Sequence, residues 1–191
     1  MVDSIKIALQ GLAFWVSYRQ ILHHLHLLSE GALVNQFATL LNAKLGYNFK
    51  ILCEQQFDKS KKLRMDVEIR QKNPDKRVAV IEFKRILAGK TSINSDIKKL
   101  LKNADSYVLR FLIVVSEKEL PKEYVNENGE AVSKKLILPD GSSANVIRVL
   151  KSTKSFRWKK REDKKKDKEI EIPPVANYCC LIEVKPSNSR G

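Results

Sequence analysis

The sequence predicts a mixed α/β domain, because the spacing of its apolar residues changes from helical to alternating and back along the chain. Apolar residues recur at helical spacing in two N-terminal stretches, residues 3–28 and 30–45. Three strand-like runs, a third helix and a fourth strand follow at 48–57, 63–70, 77–84, about 92–103 and 107–115. This order of elements predicts one compact core with a mixed sheet over residues 29–116.

The first helix is predicted to lie outside that core. It carries one apolar line through Leu9 and Leu12 and a second through Phe14 and Tyr18, which predicts burial on more than one side. We therefore expect residues 1–28 to form an extra N-terminal helix that supplies a homodimer interface.

The second and third helices have recognisable ends and faces. Ser29 suits the N-cap of the second helix, and Gly46 stands past its end, where a C′ residue belongs. In the third helix, Ile97 and Leu100 are predicted to face inward. Its lysines are predicted to face outward: Lys98, Lys99 and Lys102.

Residues 117–191 are predicted to add strands to the same single domain. The stretches 134–138 and 146–150 flank Pro139-Asp140-Gly141, which predicts a hairpin, and 178–184 predicts a last strand. Between these, residues 157–168 form a low-complexity segment with eight basic and three acidic residues.

The composition is strongly basic and contains few cysteines. The 191 residues include 36 Lys and Arg against 22 Asp and Glu, a net charge of +14, which favours encounter with nucleic acid or an acidic membrane surface without deciding between them. Three cysteines, two of them adjacent, fit neither a disulfide framework nor a zinc site. Without a signal-peptide cleavage site or about 18 successive uncharged apolar residues, we expect a cytoplasmic protein that does not cross a membrane.

Charged residues interrupt two of the predicted strands. Strand alternation places Asp66 and Glu68 on one face of the second strand. The third strand is almost continuously apolar over residues 78–81, which predicts burial on both faces, yet it continues into Glu82 and Lys84. Because a charge at a buried strand end is costly unless it is paired or metal-bound, these residues indicate a site. A surface ion pair between Glu82 and Lys84 is the alternative.

The chemistry of such a site follows from its residue types. If the two strands are neighbours, Asp66 and Glu82 converge with Lys84 close by. Mg²⁺ prefers oxygen ligands, often one or two carboxylates together with waters and a substrate phosphate oxygen. The ion would neutralise charge developing during phosphodiester hydrolysis and activate a bound water. Lys84 could orient that water, stabilise the hydroxide or act as the base. Glu68 is the alternative to Asp66 as the metal ligand on the second strand.

Asp66, fifteen intervening residues and then Glu82-Phe83-Lys84 at the end of an apolar strand resemble the PD-(D/E)XK nuclease signature. The resemblance covers about residues 29–116, with Met65 at the position where the family name has proline. It implies a restriction-endonuclease-like αβββαβ core around a mixed central sheet. The N-terminal helix and the C-terminal strands would be additions to that core.

The resemblance also implies roles for individual residues. Asp66, Glu82 and the backbone carbonyl of Phe83 would bind Mg²⁺, and Lys84 would be the catalytic lysine. Glu30 would be an auxiliary acid. Its position at the start of a helix, where an acidic side chain is favourable, offers an equally simple explanation.

The function implied by the resemblance is a Mg²⁺-dependent endonuclease, most like a type II restriction enzyme that cuts double-stranded DNA at a specific site as a homodimer. A Holliday junction resolvase or repair nuclease is the nearest alternative, and a non-catalytic DNA-binding protein is another. Basic and aromatic residues after the motif and within residues 156–168 are expected to contact DNA, with solvated surface as the other interpretation. These residues are Arg85, Lys90, Arg157, Trp158, Lys159, Lys160 and Arg161.

Overall fold

The computed structural model describes residues 1–23, 29–58, 63–86, 93–102, 105, 107–117, 120–132, 136–138, 140–153, 159–163, 168–172 and 176–187. Within these residues lie three helices: α1 Val2–His23, α2 Glu30–Leu45 and α3 Asn94–Lys102. Nine strands accompany them: β1 Phe49–Asp58, β2 Leu63–Gln71, β3 Lys76–Ile86, β4 Leu109–Glu117, β5 Leu136–Ile137, β6 Ser143–Thr153, β7 Lys159–Asp163, β8 Lys168–Ile172 and β9 Ala176–Lys185.

The strands form one mixed sheet and one separate hairpin. The sheet has six long strands and the two-residue β5, in the order β1-β2-β3-β4-β9-β6-β5. Its parallel pair is β3 and β4, and its other neighbours are antiparallel. Because a parallel pair needs a crossover, α3 connects β3 to β4 across one face of the sheet. The predicted α/β class is confirmed.

Two hydrophobic clusters cover the two faces of this sheet. The first joins α1 and α2 to the sheet and includes Ile81 and Phe83 of β3. The second joins α3 to the sheet and includes Val80. Since side chains alternate along a strand, Glu82 and Lys84 continue the Val80 face, beneath α3.

The predicted ends of α2 are confirmed. Ser29 is the N-cap, and its side-chain oxygen accepts a hydrogen bond of 3.1 Å from the backbone N of Ala32. Gly46 stands at the C-terminal end with a φ of 71°, a backbone conformation that favours glycine. The start of α2 at Glu30 is therefore fixed by this cap.

The prediction for the surroundings of α1 was only half right. The line through Leu9 and Leu12 is completely buried, and α1 contacts α2, β6 and β9 within the first cluster. On the second line, Phe14 and Tyr18 face solvent, at 77% and 51% exposed. A helix that covers β6 and β9 needs only one apolar face for the fold. None of the helices in the described part of the chain is long and apolar enough to cross a membrane.

The C-terminal strands are more regular than the sequence indicates. β9 lies inside the sheet, antiparallel to both β4 and β6. The charged segment at residues 157–168, for which the sequence predicted no strand, contains β7. This strand pairs with β8 from Lys159 opposite Ile172 to Asp163 opposite Lys168.

Candidate active site

Asp66 and Glu82 meet at the place where the backbone register of β2 on β3 ends. That register reaches Val67 opposite Ile81. One step beyond it, the backbone N of Asp66 donates to Glu82 Oε1 over 3.3 Å, and the backbone N of Phe83 donates to Asp66 Oδ2 over 2.7 Å. Carboxylate oxygens thus replace backbone carbonyls as acceptors, and this exchange holds the two acidic side chains together.

Both carboxylates are poorly solvated. Glu82 is only 2% exposed. Burial first and the charge of Asp66 second raise the pKa of Glu82 to about 7, against the opposing effect of a hydrogen bond from Lys99. Burial also raises the pKa of Asp66, although the hydrogen bond from the backbone of Phe83 opposes this. A buried and a half-buried carboxylate that repel each other form an environment that a cation would stabilise.

Lys84 lies beside this pair, one alternation further along β3. Its side chain is 26% exposed, and its Nζ lies 3.5 Å from Oδ2 of Asp96, a residue of α3. The structure therefore brings Asp66, Glu82 and Lys84 to one end of the β2–β3 pair.

The third helix contributes two residues that the sequence analysis did not assign to the site, Asp96 and Lys99. Lys99 was predicted to face outward, and this was wrong: its Nζ donates to Glu82 Oε2 over 2.6 Å. Asp96 and Lys99 are three residues apart and therefore share one side of the helix. The position of the helix in the sequence could have predicted this contact. A helix that links the parallel strands β3 and β4 must pass over a face of β3, so one side of it faces the sheet.

Glu30 also reaches this region. As the first residue of α2, it accepts a hydrogen bond of 3.0 Å from the backbone N of Arg85, at Oε2. The charge of Glu30 contributes to raising the pKa of Asp66. Both interpretations of Glu30, helix-start acid and auxiliary site acid, are compatible with this position.

Glu68 is directed away from the pair of acids. It is 3% exposed and forms ion pairs with two arginines, at 2.8 Å to Arg70 and 2.7 Å to Arg77. Two guanidinium groups compensate its buried charge. Asp66 and Glu68 were both candidate metal ligands on β2, and the structure places Asp66 against Glu82.

The expected DNA contacts are only partly within the described residues. Arg85 lies near the end of β3, and Lys159, Lys160 and Arg161 lie in β7. Lys90, Arg157 and Trp158 lie outside the described residues.

The donor set available to a metal ion is small. Among the residues that the structure describes, no group of three or more His, Cys, Asp and Glu side chains is arranged to hold a metal ion. The carboxylates of Asp66 and Glu82, supplemented by backbone, are the oxygen donors expected to bind the ion, and those of Glu30 and Asp96 lie in the same region. Mg²⁺ commonly binds through one or two carboxylates and completes its shell with water, so this set fits that ion.

Comparison with known proteins adds no relative, since no family model, curated protein or solved structure matches this chain. The function must therefore be inferred from the site itself.

Proposed function

We propose that this protein is a Mg²⁺-dependent DNA endonuclease built on a restriction-endonuclease-like core. The observation that carries the proposal is the convergence of Asp66 and Glu82, joined by hydrogen bonds of 3.3 and 2.7 Å through the backbone N of Asp66 and of Phe83. Glu82 is buried and Asp66 half-buried, so their mutual repulsion is costly to the fold, and a bound dication would offset that cost.

Asp66 and Glu82 would hold the ion, with the Phe83 carbonyl as the third protein ligand that the nuclease resemblance implies. When bound, Mg²⁺ supplies a Lewis acid for the scissile phosphate and lowers the pKa of a coordinated water. Burial of Glu82 keeps bulk water away from one of these carboxylates and strengthens its interaction with a cation.

Lys84 is the residue of the chain that would act on the attacking water. Its ammonium lies at the same end of β3 as Glu82 and is held by Asp96 over 3.5 Å. That ion pair limits the motion of a flexible side chain, so Lys84 is positioned before the substrate arrives. It would orient the water, stabilise the developing hydroxide or accept its proton.

Duplex DNA is the proposed substrate, because the net charge of +14 favours a polyanion and the basic strand β7 adds a cluster of Lys and Arg. We propose cleavage at a specific site by a homodimer, as in type II restriction enzymes. Phe14 and Tyr18, exposed on α1, offer the apolar surface for that dimer.

Incubation of the protein with a long linear duplex and a supercoiled plasmid, in Mg²⁺ and in EDTA, tests this function. Discrete fragments that require Mg²⁺ are expected. A smear would indicate an exonuclease or a non-specific enzyme, and cleavage confined to a four-way junction would favour the resolvase alternative. No cleavage of duplex, branched or single-stranded DNA would exclude a nuclease and leave the non-catalytic DNA-binding protein.

A further inference from the structure

The ammonium of Lys99 makes the shortest polar contact described around Glu82. Its Nζ lies 2.6 Å from Glu82 Oε2, while Glu82 Oε1 accepts from the backbone N of Asp66. The side chain of Glu82 is 3% exposed and that of Lys99 is 21% exposed. Lys99 therefore reaches from the edge of the site to a buried oxygen.

The backbone beneath Lys99 is fixed. Ile97 and Leu100, its neighbours in α3, are completely buried in the second hydrophobic cluster. The helix therefore stays in place, but the lysine stem has four rotatable carbons and a partly exposed end. The side chain can leave Glu82 without displacing the helix.

Lys99 and a metal ion cannot both bind Glu82 closely without cost. A dication on the same carboxylate would lie within a few ångströms of the ammonium, where two positive charges repel strongly in a poorly solvated site. Either the metal ion stays away, or the lysine moves.

We propose that the ammonium of Lys99 takes the place of the metal ion when the site is empty. It neutralises Glu82 before Mg²⁺ binds and leaves the carboxylate when Mg²⁺ binds. This inference rests on the proposed function. Lys99 acts through Glu82 and is therefore a positioning residue. Its positive charge balances the negative charge of Glu82 when no metal ion is bound, and it lowers the affinity of the site for Mg²⁺.

Calorimetric titration of the full chain with Mg²⁺ at pH 8.5 tests the exchange without any activity assay. Lys99→Gln keeps a hydrogen-bond donor for Glu82 but removes the charge, so it should bind Mg²⁺ about tenfold more tightly than the wild type. Lys99→Arg should restore the wild-type affinity. Lys98→Gln is the matched control, because Lys98 is exposed on the same helix and its change should leave the affinity unaltered.

A wild-type measurement covers the case in which Lys99→Gln does not fold. In a protein carrying ¹⁵N-labelled lysine, the bonded ammonium of Lys99 should give a slowly exchanging signal, assigned with Lys99→Arg, that disappears at saturating Mg²⁺. Unchanged affinity of Lys99→Gln, or a Lys99 signal that persists at saturation, would overturn the inference while leaving the metal site intact. No Mg²⁺ binding by either the wild type or Lys99→Gln would instead overturn the proposed function, and the inference with it.

Discussion

The backbone N of Phe83 donates a 2.7 Å hydrogen bond to Oδ2 of Asp66, and this bond joins the two strands that carry the candidate site. Phe83 is 2% exposed, and its ring packs edge-on against Phe37 of α2, with ring centroids 5.3 Å apart. The donor is thus fixed by packing on the opposite face of the sheet. The orientation of Asp66 depends in this way on the core beneath α2.

Asp66→Asn should leave the stability of the fold nearly unchanged and remove Mg²⁺ binding and cleavage. The amide oxygen can still accept the hydrogen bond from Phe83, so the free energy of unfolding should change by only about 1 kcal/mol. Loss of the negative charge should abolish Mg²⁺ binding and lower the cleavage rate about a thousandfold. Urea unfolding, calorimetry and cleavage kinetics measure the three quantities. A variant that cleaves at the wild-type rate would show that Asp66 does not bind the metal.

Glu82→Gln should stabilise the protein at alkaline pH. Burial raises the pKa of Glu82 from its ordinary value of 4.5 to about 7, so between these values the folded protein keeps a proton that the unfolded chain has released. The contribution of Glu82 to stability is full below about pH 4.5 and is lost as the pH rises through 7. At pH 8, Glu82→Gln should therefore be more stable than the wild type by about 2–3 kcal/mol.

Urea unfolding of both proteins from pH 4 to pH 8 checks this dependence. The difference in the free energy of unfolding should vanish near pH 4 and grow through the neutral range. A difference that stays constant with pH would mean that Glu82 titrates normally in the folded protein.

Much of this arrangement is predictable because it depends on local signals. The N-cap at Ser29, the glycine at 46 and the change from helical to alternating apolar spacing follow from short-range chemistry. Alternation also places Glu82 and Lys84 on one face of β3. The meeting of Asp66 with Glu82 needed only that two consecutive antiparallel strands be neighbours, as their short connection favours.

The features that sequence analysis missed depend on distant parts of the chain. Lys99 looks like a solvated helix residue until the crossover brings its side of α3 onto Glu82. The position of β9 between β4 and β6 is a long-range pairing that apolar spacing does not encode. β7 consists entirely of charged residues, a composition typical of loops, and its pairing with β8 overrides it.

Glu68→Ala should harm stability rather than catalysis. Glu68 compensates Arg70 and Arg77, and its removal takes an ion pair from each of these partly buried arginines, although Arg70 keeps Asp75 at 2.8 Å. We expect a loss of about 3 kcal/mol in the free energy of unfolding, with the cleavage rate per folded molecule unchanged. Urea unfolding and single-turnover cleavage below the unfolding transition measure these effects. A selective loss of cleavage, with stability retained, would restore Glu68 as a candidate ligand.

Phe14→Glu should dissociate the proposed homodimer. Phe14 is 77% exposed on α1, so a charge there costs the monomer fold less than about 0.5 kcal/mol but disrupts an apolar interface. Sedimentation velocity should show a wild-type dimer and a mutant monomer. Asn42→Glu, at an exposed position of α2, is the control for added charge. A monomeric wild type, or a mutant that remains dimeric, would exclude this surface as the interface.

The chain contains its own control for the central claim, a second Glu-x-Lys triplet at Glu183-Val184-Lys185 in β9. Lys185 is paired with Glu183 over 3.0 Å, but its side chain is 59% exposed, and the residues opposite Glu183 on β4 and β6 are Phe111 and Asn145 rather than an acid. The decisive measurement is the single-turnover rate of Mg²⁺-dependent DNA cleavage by the wild type, Lys84→Ala and Lys185→Ala. We predict a loss of about 100- to 10,000-fold for Lys84→Ala and a wild-type rate for Lys185→Ala. Equal rates for all three proteins would contradict the assignment of the active site.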